Sequence, residues 1–203
     1  MGRPAVPLDA VQVPVAPSLD EAAGAALLAL ARDAVEAAVR RRASPRPEPA
    51  ALPAVLRAPA AAFVTLHQDG ELRGCMGHLE FDRPLWQNVL VAGRSAALED
   101  PRFMPVTEAE LPAIRIEVSV LAPPVELPGP EAFDARQHGI MVERAGRRAL
   151  LLPQVAEAFG WDEATTLDAV CRKAGLAGDA WRWPSTRLFA FRSVRVAEPG
   201  FEA

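Results

Sequence analysis

The sequence predicts an α+β fold in which helices flank an antiparallel β-sheet. Some stretches carry helix-capping signals, and others alternate apolar with polar residues, which is typical of strands with one buried face. Helices and strands follow one another without the regular strand–helix–strand order of a parallel sheet. Half of the 203 residues are hydrophobic, which is enough for a packed core in a chain of this length.

The first 60 residues predict one long helix between two proline-rich segments. Residues 1–17 contain four prolines and no apolar period, so we expect a loose N-terminal arm. Ser18 and Glu21 have the spacing of a capping box, and the Ala/Leu-rich run that follows predicts a helix to about Arg42. Residues 43–60 contain five prolines and predict an extended connector.

A β-hairpin is predicted next, from Phe63–His67 and Glu71–Met76 on either side of Asp69-Gly70. This dipeptide accepts the positive φ angles of a two-residue type I′ turn. A regular ladder from that turn pairs Val64 with Cys75. It also places Arg73 and Cys75 on the same face of the strand.

The remaining elements are predicted from capping residues, alternation and turn residues. They are a helix from Asp82 to Glu99 with Pro84 in its first turn, a capping box at Thr107 and Glu110, a strand Ile114–Leu121, a loop over 122–131, a hairpin of Ile140–Val142 and Arg148–Leu152, helices Pro153–Phe159 and Glu163–Ala174, and a strand Leu188–Val196. We therefore expect one domain over residues 18–196 and a short tail over residues 197–203.

Composition excludes several classes of protein. The formal net charge of −4 argues against a protein that coats nucleic acid, which needs surplus cations. Two cysteines in a chain of this length do not make a disulfide scaffold. No apolar stretch is long enough to span a bilayer, and the N-terminus lacks the apolar region of a signal peptide. We therefore expect a cytoplasmic protein without membrane association.

The segment from Leu72 to His78 is the strongest candidate for chemistry. Gly74 and Gly77 flank Cys75 in a predicted strand, and glycines weaken a strand unless a bulge or a close backbone approach needs them. Arg73 on the same face would favour the Cys75 thiolate, the form that acts as a nucleophile. The competing interpretation is a small buried thiol beside a bulge.

Other candidate residues are few, because the chain has three histidines and no tyrosine. His138 and Glu117 are the candidate proton carriers for a Cys75 nucleophile, although each is equally compatible with a structural role. Cys171 has the helical spacing of a core residue. Cys75 and His78 lack the further ligands that a zinc site needs, so we predict no metal site and identify no cofactor.

Several blocks resemble the AMMECR domain family, in the same order along the chain. They span roughly residues 20–195 and comprise Phe63-Val64-Thr65-Leu66, Asp69-Gly70-Glu71-Leu72-Arg73-Gly74-Cys75-Met76-Gly77, Asp100-Pro101-Arg102-Phe103-Met104-Pro105, Ile116-Glu117-Val118-Ser119-Val120-Leu121, His138-Gly139-Ile140, Leu151-Leu152-Pro153-Gln154-Val155-Ala156, Gly160-Trp161-Asp162 and Lys173-Ala174-Gly175-Leu176. Met76 stands where the family usually has isoleucine, and His78 where a small or hydroxyl residue is more usual.

The resemblance implies an antiparallel sheet, a smaller helical subdomain and a cleft near the Cys75 segment. We expect Gly74, Gly77, Asp100 and Arg102 to contribute to ligand binding there. Bacterial members of this kind are called AmmeMemoRadiSam system protein A. That name implies a Memo-like protein and a radical SAM protein as partners, but no established reaction.

Three functions remain open at this point. The protein is an enzyme or covalent carrier that uses Cys75, a non-catalytic module that binds a protein or ligand, or, less favoured by its charge, a regulator associated with nucleic acid.

Overall fold

The computed structural model describes residues 12–201, which form two compact units. The larger unit comprises residues 17–121 and 194–201, and the smaller unit comprises residues 12–16 and 122–193. Each unit contains a four-stranded sheet with antiparallel pairing, which confirms the predicted α+β fold. Residues 1–11 of the predicted arm and residues 202–203 of the predicted tail lie outside the described residues.

The larger unit contains three helices and the sheet order β2-β1-β3-β8. Its elements are α1 (Glu21–Val39), a 3₁₀ turn at Pro49–Ala51, α2 (Ala54–Arg57), β1 (Ala61–Gln68), β2 (Glu71–His78), α3 (Leu85–Leu98), a 3₁₀ turn at Glu108–Glu110, β3 (Ile114–Leu121) and most of β8 (Ser193–Ala197).

One face of this sheet packs on α1 and α3 and forms the core of the larger unit. Val64, Ile116 and Val118 are fully buried from the sheet side, and Leu27 and Val89 are fully buried from the helices. The alternation in β1 and β3 therefore sends one set of side chains into the core and leaves the other set on the opposite face. Polar residues on that opposite face form the candidate site.

The smaller unit has the sheet order β4-β7-β5-β6 and two helices. Its elements are β4 (Val125–Glu126), a 3₁₀ turn at Pro130–Ala132, β5 (Gly139–Arg144), β6 (Arg147–Leu151), α4 (Pro153–Phe159), α5 (Glu163–Lys173), a 3₁₀ turn at Gly178–Arg182 and β7 (Arg187–Phe191).

The core of the smaller unit lies between its sheet and α5. Ile140 and Val142 of β5 are fully buried with Val170 and Cys171 of α5. This confirms the sequence interpretation of Cys171 as a core residue. Burial also raises the pKa of the Cys171 thiol, so this thiol stays protonated at neutral pH.

Three predicted boundaries in the larger unit were wrong. Helix α1 begins at Glu21 because Asp20, and not Ser18, accepts the Ala23 N–H at 2.8 Å. It ends at Val39, three residues before the predicted end. The connector over residues 43–60 includes the 3₁₀ turn and α2, since proline fits the start of a helical turn.

Three further differences concern the residue that caps α3, the predicted loop over 122–131 and the predicted last strand. Pro84 occupies the N-cap of α3, where Asp82 was expected to cap. The predicted loop over 122–131 contains β4, and the predicted strand Leu188–Val196 is two strands that belong to different sheets. Alternation along a chain shows that a segment is extended but not which sheet it joins.

The β1–β2 hairpin has the predicted turn but a different register. Asp69 and Gly70 both have positive φ, as a type I′ turn requires. A bulge at Leu66 and His67 leaves Arg73 as an extra residue, so Leu66 pairs with Gly74 and not with Arg73. The bulge moves every later pair by one residue, and Cys75 pairs with Thr65 instead of Val64.

Candidate functional site

Cys75 lies near the middle of β2 with a partly buried thiol. Its backbone N–H donates to Asp100 Oδ2 at 2.9 Å. The Thr65 hydroxyl donates to the Cys75 sulfur at 3.4 Å across the strand pair. The thiol is thus held by a hydroxyl donor on one side and a fixed backbone on the other, while part of it stays accessible.

Cys75, Thr65 and Glu117 occupy one row across β2, β1 and β3. Thr65 pairs with Cys75 on one side and with Glu117 on the other. Directly opposed side chains in antiparallel strands have Cβ atoms about 5 Å apart. The structure therefore brings Glu117 into the same polar row as Cys75.

Glu117 is a buried carboxylate, only 4% exposed. Its Oε2 atom lies 3.8 Å from Arg195 Nη1, and the Ser119 hydroxyl donates to its Oε1 at 3.5 Å. A buried carboxylate needs such partners to remain charged. Glu117 is therefore both a structural ion-pair residue and the nearest acidic group in this row.

Asp100 follows α3 and connects it to β2. Besides the Cys75 N–H, it accepts the Arg102 backbone N–H at 3.1 Å and two guanidinium N–H groups at 3.0 and 2.7 Å. Chiefly because of the side-chain hydrogen bond from Arg102, the pKa of Asp100 falls to about 2 despite burial. Asp100 is therefore ionised at neutral pH and fixes the backbone on which Cys75 is placed.

Arg102 is the guanidinium that contacts Cys75. Its Nη2 donates to the Cys75 carbonyl oxygen at 3.5 Å. The pKa of Arg102 is raised, first by the hydrogen bond to Asp100 and to the smallest extent by the charge of a Cys75 thiolate. The same attraction favours the thiolate over the thiol. The Arg102 side chain is half exposed, so solvent screens part of this effect.

Arg73 was expected to act on the thiol, but the structure shows it paired elsewhere. Its Nε donates to Glu110 Oε1 at 2.7 Å, and its Nη1 donates to the Met104 carbonyl at 2.9 Å. The pKa of Glu110 falls to about 2, first because of the Arg73 hydrogen bond. Arg73 has no partner in the β1–β2 ladder because of the bulge, and its side chain binds Glu110, which is 37 residues away in the sequence.

Gly74 and Gly77 serve packing. A Cβ on Gly74 would lie 2.3 Å from the Ala96 carbonyl oxygen of α3. A Cβ on Gly77 would lie 2.4 Å from the Phe63 ring. Both glycines thus let β2 approach its neighbours closely, and their space is occupied by the protein itself.

His138 belongs to the smaller unit, where it directly precedes β5. Its pKa is lowered, first by burial and then by the positive charge of Arg192, while the charge of Asp134 opposes the decrease. Neutral imidazole is therefore its main form at pH 7.

Thr65 and Arg195 were missed by the sequence analysis. The one indication of Thr65 in the sequence is that it is a polar residue inside the apolar run Phe63–Leu66. Which residue of β2 it faces depends on the strand register, and the bulge changes that register. Arg195 looked like any solvent-facing residue of the last strand.

Two absences hold for the part of the chain that the structure describes. No three or more His, Cys, Asp or Glu side chains between residues 12 and 201 are arranged to hold a metal ion. Over the same residues, no helix combines the length and apolarity needed to cross a bilayer.

Comparisons with known proteins place the chain in a family. The AMMECR1 family model matches residues 28–196. A protein of Methanothermobacter thermautotrophicus is 43% identical over 183 residues, covering 87% of this chain and 95% of that protein. One from Aeropyrum pernix is 40% identical over 198 residues, covering 92% and 84%.

A solved structure agrees with these sequence matches. The crystal structure of an uncharacterized protein from Pyrococcus horikoshii matches with a TM-score of 0.85 and 33% identity, and the match covers 89% of this chain and 94% of that one. The extent of the family model and the identity to the archaeal relatives lead to one conclusion: the chain belongs to the AMMECR1 family.

Proposed function

We propose that this protein uses Cys75 as a nucleophile that forms a covalent bond to an electrophilic ligand, as an enzyme or a covalent carrier. The observation that carries the proposal is the hydrogen bond of 3.4 Å from the Thr65 hydroxyl to the Cys75 sulfur. A hydroxyl that donates to sulfur stabilises the thiolate, which is the reactive form.

The chemical step is an acyl-type transfer to sulfur. The Cys75 sulfur forms a bond to an electrophilic carbon of the ligand, and the bond from that carbon to its leaving group breaks. The thiol proton passes to solvent, and solvent protonates the leaving group, because Glu117 lies two strands away from Cys75 and cannot take the proton directly. Electrons and protons balance within this exchange, so it consumes no oxidant or reductant.

The electrostatics of the site support this assignment through Arg102. Its guanidinium contacts the Cys75 carbonyl, and its charge attracts the thiolate. Arg73 is committed to Glu110, so Arg102 takes over the role that the sequence assigned to Arg73. Asp100 acts as a positioning residue that holds both Arg102 and the Cys75 backbone.

We also propose that a Memo-like protein and a radical SAM protein are the partners, as the resemblance to AmmeMemoRadiSam system protein A implies. One exposed apolar side chain near the site is a candidate contact for them: Met104, which follows the turn after Asp100, is 81% exposed. Met104→Asp should abolish co-purification of the partners while leaving the thiol unchanged. Equal recovery with Met104→Asp would exclude this contact.

A non-catalytic binding module is the second candidate function. It is favoured by the complete use of Arg73, Gly74 and Gly77 in internal contacts. In this case Cys75 would be a small strand residue whose sulfur does not react.

Complementation of a deletion strain separates the two functions. Cys75→Ser keeps the size and a hydroxyl donor but removes the thiol nucleophile, so we expect loss of function. Cys171→Ser is the matched control, because Cys171 is a core residue of the smaller unit. Full function with Cys75→Ser at normal protein levels would establish the binding module instead.

A further inference from the structure

Two buried nitrogen atoms in the smaller unit lack hydrogen-bond partners among the described residues. They are His138 Nδ1 and Arg192 Nε. Buried polar groups in folded proteins are almost always satisfied, and an orphaned one calls for a specific explanation. Both atoms lie outside the Cys75 site.

The two side chains are neighbours because of the β5–β7 ladder. The ladder ends with Gly139 paired to Phe191, and His138 and Arg192 are the residues next to that last pair. They are close enough for the charge of Arg192 to act on the His138 imidazole. Gly139 is needed there, because a Cβ would lie 2.3 Å from the Phe191 ring. The sheet thus places an imidazole and a guanidinium side by side at its end.

The backbone of both residues is fixed. The His138 N–H donates to the Asp134 carbonyl at 2.9 Å, and the Arg192 carbonyl accepts the Ala122 N–H at 2.9 Å. The pair is therefore presented on a rigid strand end, which is how proteins support binding groups.

The guanidinium of Arg192 is also oriented. Its Nη2 donates to Gln137 Oε1 at 3.1 Å, and Gln137 Nε2 donates to Asp134 Oδ2 at 2.6 Å. This chain of hydrogen bonds holds one edge of the guanidinium and leaves Nε without an acceptor.

Arginine only donates hydrogen bonds, so the missing partner of Nε must be an acceptor. An oxygen with several lone pairs can accept from Arg192 Nε and from a protonated His138 Nδ1 together. We propose that His138 and Arg192 form a binding site for an oxyanion, the carboxylate or phosphate group of a ligand.

Local charge is consistent with an anion. The charged groups that act on His138 are Arg192 and Asp134, and Arg136 acts in turn on Asp134. Asp134 is already occupied by the Arg136 backbone N–H and the Gln137 amide. A bound anion would oppose the effects of burial and of Arg192, which now lower the His138 pKa.

The test is a nuclear magnetic resonance titration of the full chain labelled with ¹⁵N. The three histidines give few ring signals, and His138→Gln assigns the relevant one. Inorganic phosphate and acetate are added in separate arms, with sodium chloride at equal ionic strength as the reference. We expect a saturable shift of the His138 ring nitrogens and an increase in the His138 pKa in at least one arm.

The variants show whether the pair acts together. Arg192→Met should weaken the binding of the anion by about tenfold or more, since a charge-assisted hydrogen bond is lost. Arg136→Gln removes a neighbouring exposed charge and should leave the affinity within about twofold, as expected for screened surface charges. The tighter arm identifies phosphate or carboxylate as the preferred group.

A shift that does not saturate, or that sodium chloride reproduces, would overturn the proposal and leave water as the partner of these atoms. An unchanged affinity in folded Arg192→Met would overturn it as well. If Arg192→Met does not fold, the wild-type titration decides. Cys75→Ser should titrate like the wild type, so this result is independent of the function proposed for Cys75.

Discussion

Replacing Asp100 by asparagine tests how much this carboxylate contributes to the larger unit. The side chain keeps its size but loses the charge that binds the Arg102 guanidinium and the Cys75 N–H. The pKa of Asp100 is lowered from 3.8 to about 2, and each pKa unit corresponds to about 1.4 kcal/mol. The carboxylate therefore stabilises the folded state by about 2 kcal/mol at pH 7.

The exposure of Arg102 to solvent reduces this contribution of Asp100 to stability. Asp100 is buried, but the Arg102 side chain is half exposed, and solvent screens such a pair. We expect Asp100→Asn to lower the free energy of unfolding by about 1.5 kcal/mol at pH 7, measured by urea denaturation. Asp82→Asn, at an exposed aspartate, is the control and should change stability by less than about 0.5 kcal/mol.

The pH dependence gives the sharper test. A carboxyl whose folded pKa is depressed contributes its full stability above the unfolded value, near 3.8, and loses it as the pH falls through about 2. The difference between wild type and Asp100→Asn should therefore decrease to about half at pH 3. A difference that stays constant from pH 7 to pH 3 would refute an electrostatic role for Asp100.

Two further predictions concern packing and the second ion pair of the site. Gly74→Ala should lower the free energy of unfolding by about 2 kcal/mol, because the new Cβ would meet the Ala96 carbonyl, and backbone cannot move aside cheaply; urea denaturation would show the loss, and unchanged stability would contradict it. Glu110→Gln removes the partner of Arg73 and should cost about 1 kcal/mol at pH 7. Because the Glu110 pKa is lowered from 4.5 to about 2, this cost should decrease below pH 4.5 and be lost as the pH falls through about 2, and a cost that stays constant over this range would argue against the ion pair.

Local chemistry explains the parts of the fold that were predictable. The turn at Asp69-Gly70 depends on two residues that accept positive φ, and both adopt it. Gly160 ends α4 in the left-handed conformation for the same reason. Such signals lie within a few neighbouring residues and can be found in a single sequence.

Long-range pairing explains what was not predictable. Arg73 binds Glu110, 37 residues away, and Asp100 binds the backbone of Cys75, 25 residues away. The bulge between these contacts decides that Thr65, and not Val64, faces Cys75. Alternation alone carries no information about a bulge, because the extra residue becomes visible only when the partner strand is known.

The sequence therefore pointed to Cys75 as the candidate residue but not to the Thr65 hydroxyl that contacts it. Cys75 stood out because glycines flank it, although those glycines turned out to serve packing. Arg102 was expected to bind a ligand, and it is also the cation that contacts Cys75. The donor to the sulfur, Thr65, required the actual register.

The rate of Cys75 alkylation against pH tests the reactive thiol most directly. Iodoacetamide modification would be followed by mass spectrometry in the wild type and in Thr65→Val. Cys171 serves as the internal reference, since burial raises its pKa and should protect it until unfolding. Thr65→Val should lower the rate at pH 7 by about fivefold, the effect of one hydrogen bond.

We expect the wild-type rate to reach half its maximum clearly below pH ~8.5, the ordinary value for a cysteine, with the midpoint moving upward in Thr65→Val. A wild-type midpoint at or above ~8.5, unaffected by Thr65→Val, would contradict the proposal that this site activates Cys75.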